Sequence, residues 1–396
     1  MKMKKTTITL LMSCLLLTKV SAAAANSDIS PYALRYMQQA QTLSAKEQNQ
    51  QAIEHLLTAE VSRPGDVAAI SRMLGILYWQ SEQAEHSVIA LEKALNAQGL
   101  ADDEQWRTRR MLSSIYLTLG QFRQALPHLE LLTQSIPEGE NAAEVWLHLA
   151  QAHYSLEQWR ETLLALEKQR KLDPKPSVAV LSISLGAHAQ LEQWSQVVGN
   201  AKQLIALQPE KKIWWMQAYS GYLNLHQQKA ALDILTLAQL KGIALLDSER
   251  KSLAYLYASQ GIYEKAAVTL SQLEQADSDL ELIRLQAQYW QAAKEWQKSL
   301  HFWHKAAEIE SKYHWEVAVL QNQLQKYQQV IASLDQMENQ QRFYDAQLLK
   351  VNALYRLNRL EAALALAKKA DAIKSSTQTQ SWVRFLSHKK SETPEV

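Results

Sequence analysis

A small residue returns at a nearly constant interval along most of this chain, and few folds tolerate such regularity. The positions are Ala52, Ser87, Ala125, Thr162, Val197, Ala230, Ala266, Ser299, Val330 and Ala363, with successive gaps of 31 to 38 residues. Each sits just after a short polar turn: Gly120 to Ala125 reads GQFRQA, Glu192 to Val197 reads EQWSQV, and Gly261 to Ala266 reads GIYEKA. An interval of this size is one supersecondary unit, here a pair of helices, repeated and stacked on its neighbours. The small side chain lets the two helices of a pair approach closely.

The segment before each turn carries large apolar residues at helical spacing, as in Leu74-Gly75 with Tyr78, Leu112-Ser113 with Tyr116, and Leu253-Ala254 with Tyr257. Pro64, Pro137, Pro174 and Pro209 fall where units end, because proline lacks the N–H and the space needed to continue a helix. Only 10 glycines occur in 396 residues and alternating runs are scarce, which favours an almost wholly helical chain.

Over nearly its whole length the pattern resembles the tetratricopeptide repeat family, in degenerate form. The expected fold is all-α: a right-handed α-solenoid of about ten helix pairs over residues 32–376, closed by a capping helix over 377–390 that shows Trp382 and Phe385. Residues 391–396 are expected to be disordered. The pattern departs from the family around Tyr313 to Met337, and again where one unit ends at Gly242 without a proline.

At the other end, the basic run Met1 to Lys5 precedes an apolar stretch from Ile8 to Leu17 and small residues at Val20-Ser21-Ala22. This is the layout of a secretory signal peptide, with cleavage after Ala22, or after Ala24 or Ala25, and a short linker to residue 31. The apolar run continues past Cys14, the only cysteine, which argues against a lipid-attachment site there. Without that segment the chain holds no cysteine, so disulfides and thiolate chemistry are excluded. Loss of Lys2, Lys4, Lys5 and Lys19 takes the net charge from +2 to −2, which removes any global electrostatic support for nucleic-acid binding. The expected location is the periplasm.

No phosphate-cradling glycine loop, zinc-binding His-Glu-x-x-His helix or nucleophile elbow occurs, so a non-enzymatic chain without cofactor or metal is expected. His301 and His304 lie three apart with His314 nearby, but two ligands do not make a metal site. His148 and His153 fit packing and groove lining. Six tryptophans, Trp146, Trp159, Trp194, Trp214, Trp296 and Trp303, fall at recurring packing positions and are expected in the core.

The tetratricopeptide resemblance implies ligand-facing positions on the concave side of each first helix, at its second, fifth, ninth, twelfth and thirteenth places. Projected onto this chain they give Arg72, Trp79 and Gln80; Arg107 and Arg110; Gln151 and Tyr154; Lys212, Trp215, Tyr219 and Tyr222; Lys251 and Tyr255; Arg284 and Gln288. Bases recur at the fifth place and aromatics concentrate mid-chain. Such a groove suits a peptide whose carboxylates meet Arg and Lys while its apolar side chains pack on Tyr and Trp. The alternative is a glycan stacked on Trp215, Tyr219 and Tyr222.

Several stretches are also similar to a narrower group, the periplasmic repeat proteins described as components of a TonB system in Gammaproteobacteria. They are Arg72 to Gln80 (RMLGILYWQ), Ala150 to Tyr154 with Trp159, Leu204 to Glu210 (LIALQPE) with Trp214-Trp215, and Tyr289 to Trp296 (YWQAAKEW). That resemblance implies association with an ExbB/ExbD/TonB-type complex, which couples the inner-membrane proton gradient to outer-membrane receptors for iron chelates. It carries over no ligand-reading residues.

Overall fold

The computed structural model describes residues 29–338 and 342–392. The leader expected over residues 1–22 and the last four residues lie outside them. The described residues form two compact units, which meet in sequence between Leu207 and Gln208.

The first unit stacks five helix pairs: α1 (Pro31–Ser44) with α2 (Asn49–Leu57), α3 (Pro64–Gln80) with α4 (Ala84–Asn96), α5 (Asp102–Thr118) with α6 (Phe122–Gln134), α7 (Ala142–Ser155) with α8 (Trp159–Leu172), and α9 (Val178–Gln190) with α10 (Trp194–Leu207). The second stacks α11 (Lys212–Asn224) with α12 (Gln228–Leu240), α13 (Asp247–Ser259) with α14 (Tyr263–Leu270), α15 (Leu280–Ala292) with α16 (Trp296–Ile309), α17 (His314–Gln323) with α18 (Tyr327–Asp335), and α19 (Phe343–Arg356) with α20 (Leu360–Ile373). A final helix, α21 (Thr377–Glu392), packs on α20. Within each unit, helices contact their partner in the pair and the first helix of the next pair, which is the connectivity of an α-solenoid.

Local chemistry explains where the elements begin. Pro31 and Pro64 stand in the first turn of α1 and α3, where a missing N–H costs nothing. Ser30, Asn141, Ser177 and Asp279 each accept a bond from an otherwise unsatisfied N–H of the first turn of α1, α7, α9 and α15.

All ten pairs share one turn. Its central residue is left-handed, φ +56° to +73°, at Glu47, Glu82, Gly120, Glu157, Glu192, His226, Gly261, Lys294, Gln325 and Asn358. The next N–H then donates to the carbonyl five residues back, as Gln83 does to Tyr78 (2.8 Å) and Glu295 to Trp290 (2.9 Å). This is the Schellman closure, which satisfies carbonyls at the end of the first helix and reverses the chain. Only two of the ten are glycine, so eight turns carry a Cβ where it costs about 1 kcal/mol.

Five residues after each left-handed residue stands a buried small side chain, which corrects the sequence reading at one place. In the sixth pair that residue is Ala231, fully buried, and the half-buried Ala230 is not the packing position. At the other nine places the expected residue is 0–1% exposed. The reason for smallness is visible at α3 and α4: a Cβ on Gly75 would lie 2.6 Å from Leu91 Cδ2, and Ser87 Oγ donates to the Gly75 carbonyl at 2.6 Å. Ser299 repeats the bond onto the Ala287 carbonyl at 2.8 Å.

Two further readings change. Of the six tryptophans expected in the core only Trp303 is buried, at 4% exposure; the others are half-buried, and the indoles that fill the interior are Trp106, Trp215, Trp290 and Trp303. The unit without a terminal proline ends on left-handed Gly242, as read from the sequence, and its neighbour Ile243 donates to the Ala238 carbonyl. The last helix runs to Glu392, so Ser391 and Glu392 are helical rather than part of a disordered tail.

Candidate binding surface

The common turn gives every first helix a register, and the recurring bases share one place in it. Arg72, Arg110, Lys251 and Arg284 each stand ten residues before the left-handed residue of their own turn, Glu82, Gly120, Gly261 and Lys294. Most of them do not face solvent with a free charge. Each reaches toward the start of the next first helix, where acidic side chains favour the positive end of the helix dipole.

In the first unit, Arg72 donates through Nε to Thr108 Oγ1 (3.1 Å) and lies 3.9 Å from Glu104. Burial pushes its guanidinium pKa down while the Glu104 carboxylate opposes that shift. Arg107 and Arg110 converge on Glu140, at 3.1 Å and 2.8 Å, so one carboxylate takes a guanidinium on each oxygen. The Arg110 guanidinium also lies 5.4 Å from the Trp106 ring centroid.

The second unit repeats the device with lysine. Lys212 pairs with Glu249 at 2.6 Å, and Lys251 with Glu281 at 3.1 Å. The bond from Glu281 raises the Lys251 amine pKa above its ordinary value. Tyr255 hydroxyl reaches the same carboxylate at 3.4 Å, and its ring lies 5.9 Å from Lys251 Nζ. Arg284 instead lies 5.8 Å from the Tyr313 ring.

These acids were missed in the sequence, although Glu104, Glu249 and Glu281 stand in the first turn of a first helix and offered a signal.

One aromatic of the expected groove is overturned. Trp215 is 2% exposed and donates its indole N–H to the Pro209 carbonyl at 2.8 Å, so it is core. Tyr219 and Tyr222 are half-buried against the cluster that contains Leu232, Leu235 and Leu253. With His226 as the turn residue, the register places of Arg107 and Tyr154 fall in α11 on Ile213 and Leu223, which are 51% and 37% exposed. Trp215 therefore offers no face to a sugar.

Elsewhere, Gln151 and Gln288 are exposed, and Trp79 is half-buried against the interior that includes Leu91 and Leu112. Tyr154 packs edge-on against Trp159, 5.3 Å between centroids. Its hydroxyl occupies the space over Gly186, where a Cβ would lie 2.3 Å away. His301 and His304 are exposed on α16, and among the described residues no three His, Cys, Asp or Glu side chains group as metal ligands would.

No protein-family description and no curated protein matches this chain. Similar solved structures include a chain of the Naa15/Naa10 complex bound to HypK-THB, 14% identical with a TM-score of 0.44. That match covers 80% of this chain and 54% of the other, so this chain spans about half the length of its counterpart. A tetratricopeptide repeat protein from Parabacteroides merdae is 15% identical, TM-score 0.39, covering 66% of this chain and 99% of that one. MamA protein is 15% identical, TM-score 0.39, covering 46% and 99%.

Proposed function

We propose that this chain is a non-enzymatic protein-binding scaffold that reads an acidic, partly apolar peptide segment on its second unit, at Lys251 and Tyr255. The observation that carries the reading is exchangeability. Glu281 is 60% exposed and bound by a single lysine, so an incoming carboxylate can replace it at Lys251 while Tyr255, 40% exposed, offers a ring to an apolar neighbour. Arg107 and Arg110 are already committed to one well-covered carboxylate and have less to offer a partner.

The signal-peptide layout of the leader and the resemblance of the repeat stretches to the periplasmic group support a periplasmic location, with the segment belonging to an envelope protein of a TonB/ExbB/ExbD complex. Crosslinking of tagged protein in the periplasm, followed by mass spectrometry, tests this. Enrichment of TonB-complex proteins that disappears with Lys251→Glu plus Tyr255→Ala is the expected result. Enrichment unchanged in that variant removes the surface, and recovery of none of those proteins removes the partner.

A further inference from the structure

The last helix pair differs in charge from the rest of the molecule. Residues 342–392 hold ten Lys and Arg against four Asp and Glu, whereas residues 29–207 hold fifteen against nineteen. The excess is spread over α19, α20 and α21, and two of its bases, Lys368 and Lys369, stand together on the outward face of α20. On α20 the inward positions are Ala363, Ala367 and Ala370, each 0–1% exposed. The outward arc carries Ala362, Ala365, Lys368, Lys369, Ala372 and Ile373, all exposed, with Ile373 at 57%.

The acids of this helix are engaged. Glu361 is bound by Lys390 from α21 at 2.7 Å, and Asp371 accepts the hydroxyls of Ser375 (2.9 Å) and Thr379 (2.5 Å). Lys368 and Lys369 have no carboxylate partner among the described residues, and Lys374 at the helix end lies 5.0 Å from the Tyr344 ring. By contrast, the outward face of α8 mixes signs and pairs Lys171 with Glu167 at 2.7 Å.

We propose that the outward face of α20 docks on the surface of a bilayer rich in anionic phospholipid. Alanine, one exposed isoleucine and two lysines without a carboxylate partner among the described residues, beside a Glu361 already bound by Lys390, leave this face suited to the headgroup region. The lysine stems lie along the apolar boundary while their amines meet phosphate. Lysines are mobile point charges, suited to a diffuse negative surface rather than to one bidentate carboxylate. At 14 residues α20 spans about 21 Å, short of the ~30 Å hydrocarbon core, so the contact is interfacial. This docking is independent of Lys251 and Tyr255, which lie on other helices.

The test is co-sedimentation with vesicles of phosphatidylcholine alone and of phosphatidylcholine mixed with phosphatidylglycerol. The chain should begin at Ala23, which keeps every described residue and leaves out the apolar run from Ile8 to Leu17. Binding is expected only with phosphatidylglycerol present, and is expected to fall with added salt. Lys368→Glu with Lys369→Glu should lower partitioning at least about tenfold, since each base near an anionic surface contributes severalfold. Ile373→Ser should lower it about threefold, and Lys93→Glu on α4 should not change it. Both lysines are exposed, so helical content should be unchanged; Lys→Gln at the same two positions is the milder second variant. Equal binding to both vesicle types, binding unaffected by the double variants, or binding of poly-glutamate in place of vesicles would each overturn the proposal, the last by making the partner an acidic polypeptide.

Discussion

Arg110 and Lys251 occupy the same place in their repeats and meet a carboxylate in the same direction, yet the two pairs differ in how far they are covered. Arg110 and Glu140 are 21% and 15% exposed; a second arginine shares the carboxylate and an indole backs the guanidinium. Lys251 and Glu281 are 35% and 60% exposed, and only Tyr255 adds to them. The first arrangement is part of how α5 is fastened to the start of the next pair. The second is a surface ion pair of the kind that contributes under about 1 kcal/mol and exchanges with solvent. One register position is thus covered and shared by two bases in one unit and left exposed in the other.

The largest effect should come from removing what stands behind each base. Trp106 is 7% exposed and donates its indole N–H to the Leu132 carbonyl, so Trp106→Ala should destabilise the first unit by about 3–5 kcal/mol. Tyr255→Ala should cost the second unit less than about 1 kcal/mol. Hydrogen exchange of the α5 and α13 amides would separate the two; similar loss of protection in both would erase the distinction.

The carboxylates come next. Glu140→Gln leaves two arginines short of one charged acceptor and should cost about 1–2 kcal/mol, whereas Glu281→Gln should cost under about 0.5 kcal/mol. Urea unfolding of the two variants against the parent chain measures both. Equal costs would mean that the two pairs are equally structural, and the recognition role of Lys251 would lose its basis.

A smaller effect sharpens the lysine side. Because Glu281 holds the Lys251 amine above its ordinary pKa, less of it is neutral at mildly alkaline pH, and acylation there should be slow. Glu281→Gln should speed labelling of Lys251 about two- to fivefold, while neighbouring Lys265 is unchanged. Peptide mapping by mass spectrometry reads it, and an unchanged rate would mean that the pair is not formed in solution.

How much of this was legible in the sequence depends on whether a feature is local. The helix pairs were readable because a packing position that demands a small side chain leaves a mark every repeat. The turn itself was hidden, since eight of its ten left-handed residues are Glu, His, Lys, Gln or Asn rather than glycine. In α11 and α12 two adjacent alanines, Ala230 and Ala231, left the register open by one residue. One residue is about 100° on a helix, enough to turn a core position into a surface one, and that sent Trp215 to the groove. The Arg–Glu and Lys–Glu pairs span about one repeat of sequence, so no window along the chain shows both partners. Finding them requires the stacking first and the charges second.

The smallest expected effect tests whether the arginine clamp reaches beyond its own carboxylate. His148 on α7 has its pKa lowered, chiefly by burial, with Arg110 pushing the same way and Glu144 opposing. Above the ordinary imidazole pKa of 6.5, folded and unfolded chains both hold it neutral and it adds no pH dependence. As pH falls through that value the unfolded chain takes up the proton first, so folding stability declines until the depressed folded pKa is passed. His148→Asn should therefore flatten the acid side of the stability profile without altering it above neutrality. In α13 the same register place is Ser252, which does not titrate, so this contribution should be seen in α7 amide exchange and not in α13. If Glu140→Gln, by freeing the Arg110 charge, steepens the decline at α7, the clamp and His148 belong to one electrostatic network. If it does not, the clamp acts only as a fastener between successive repeats.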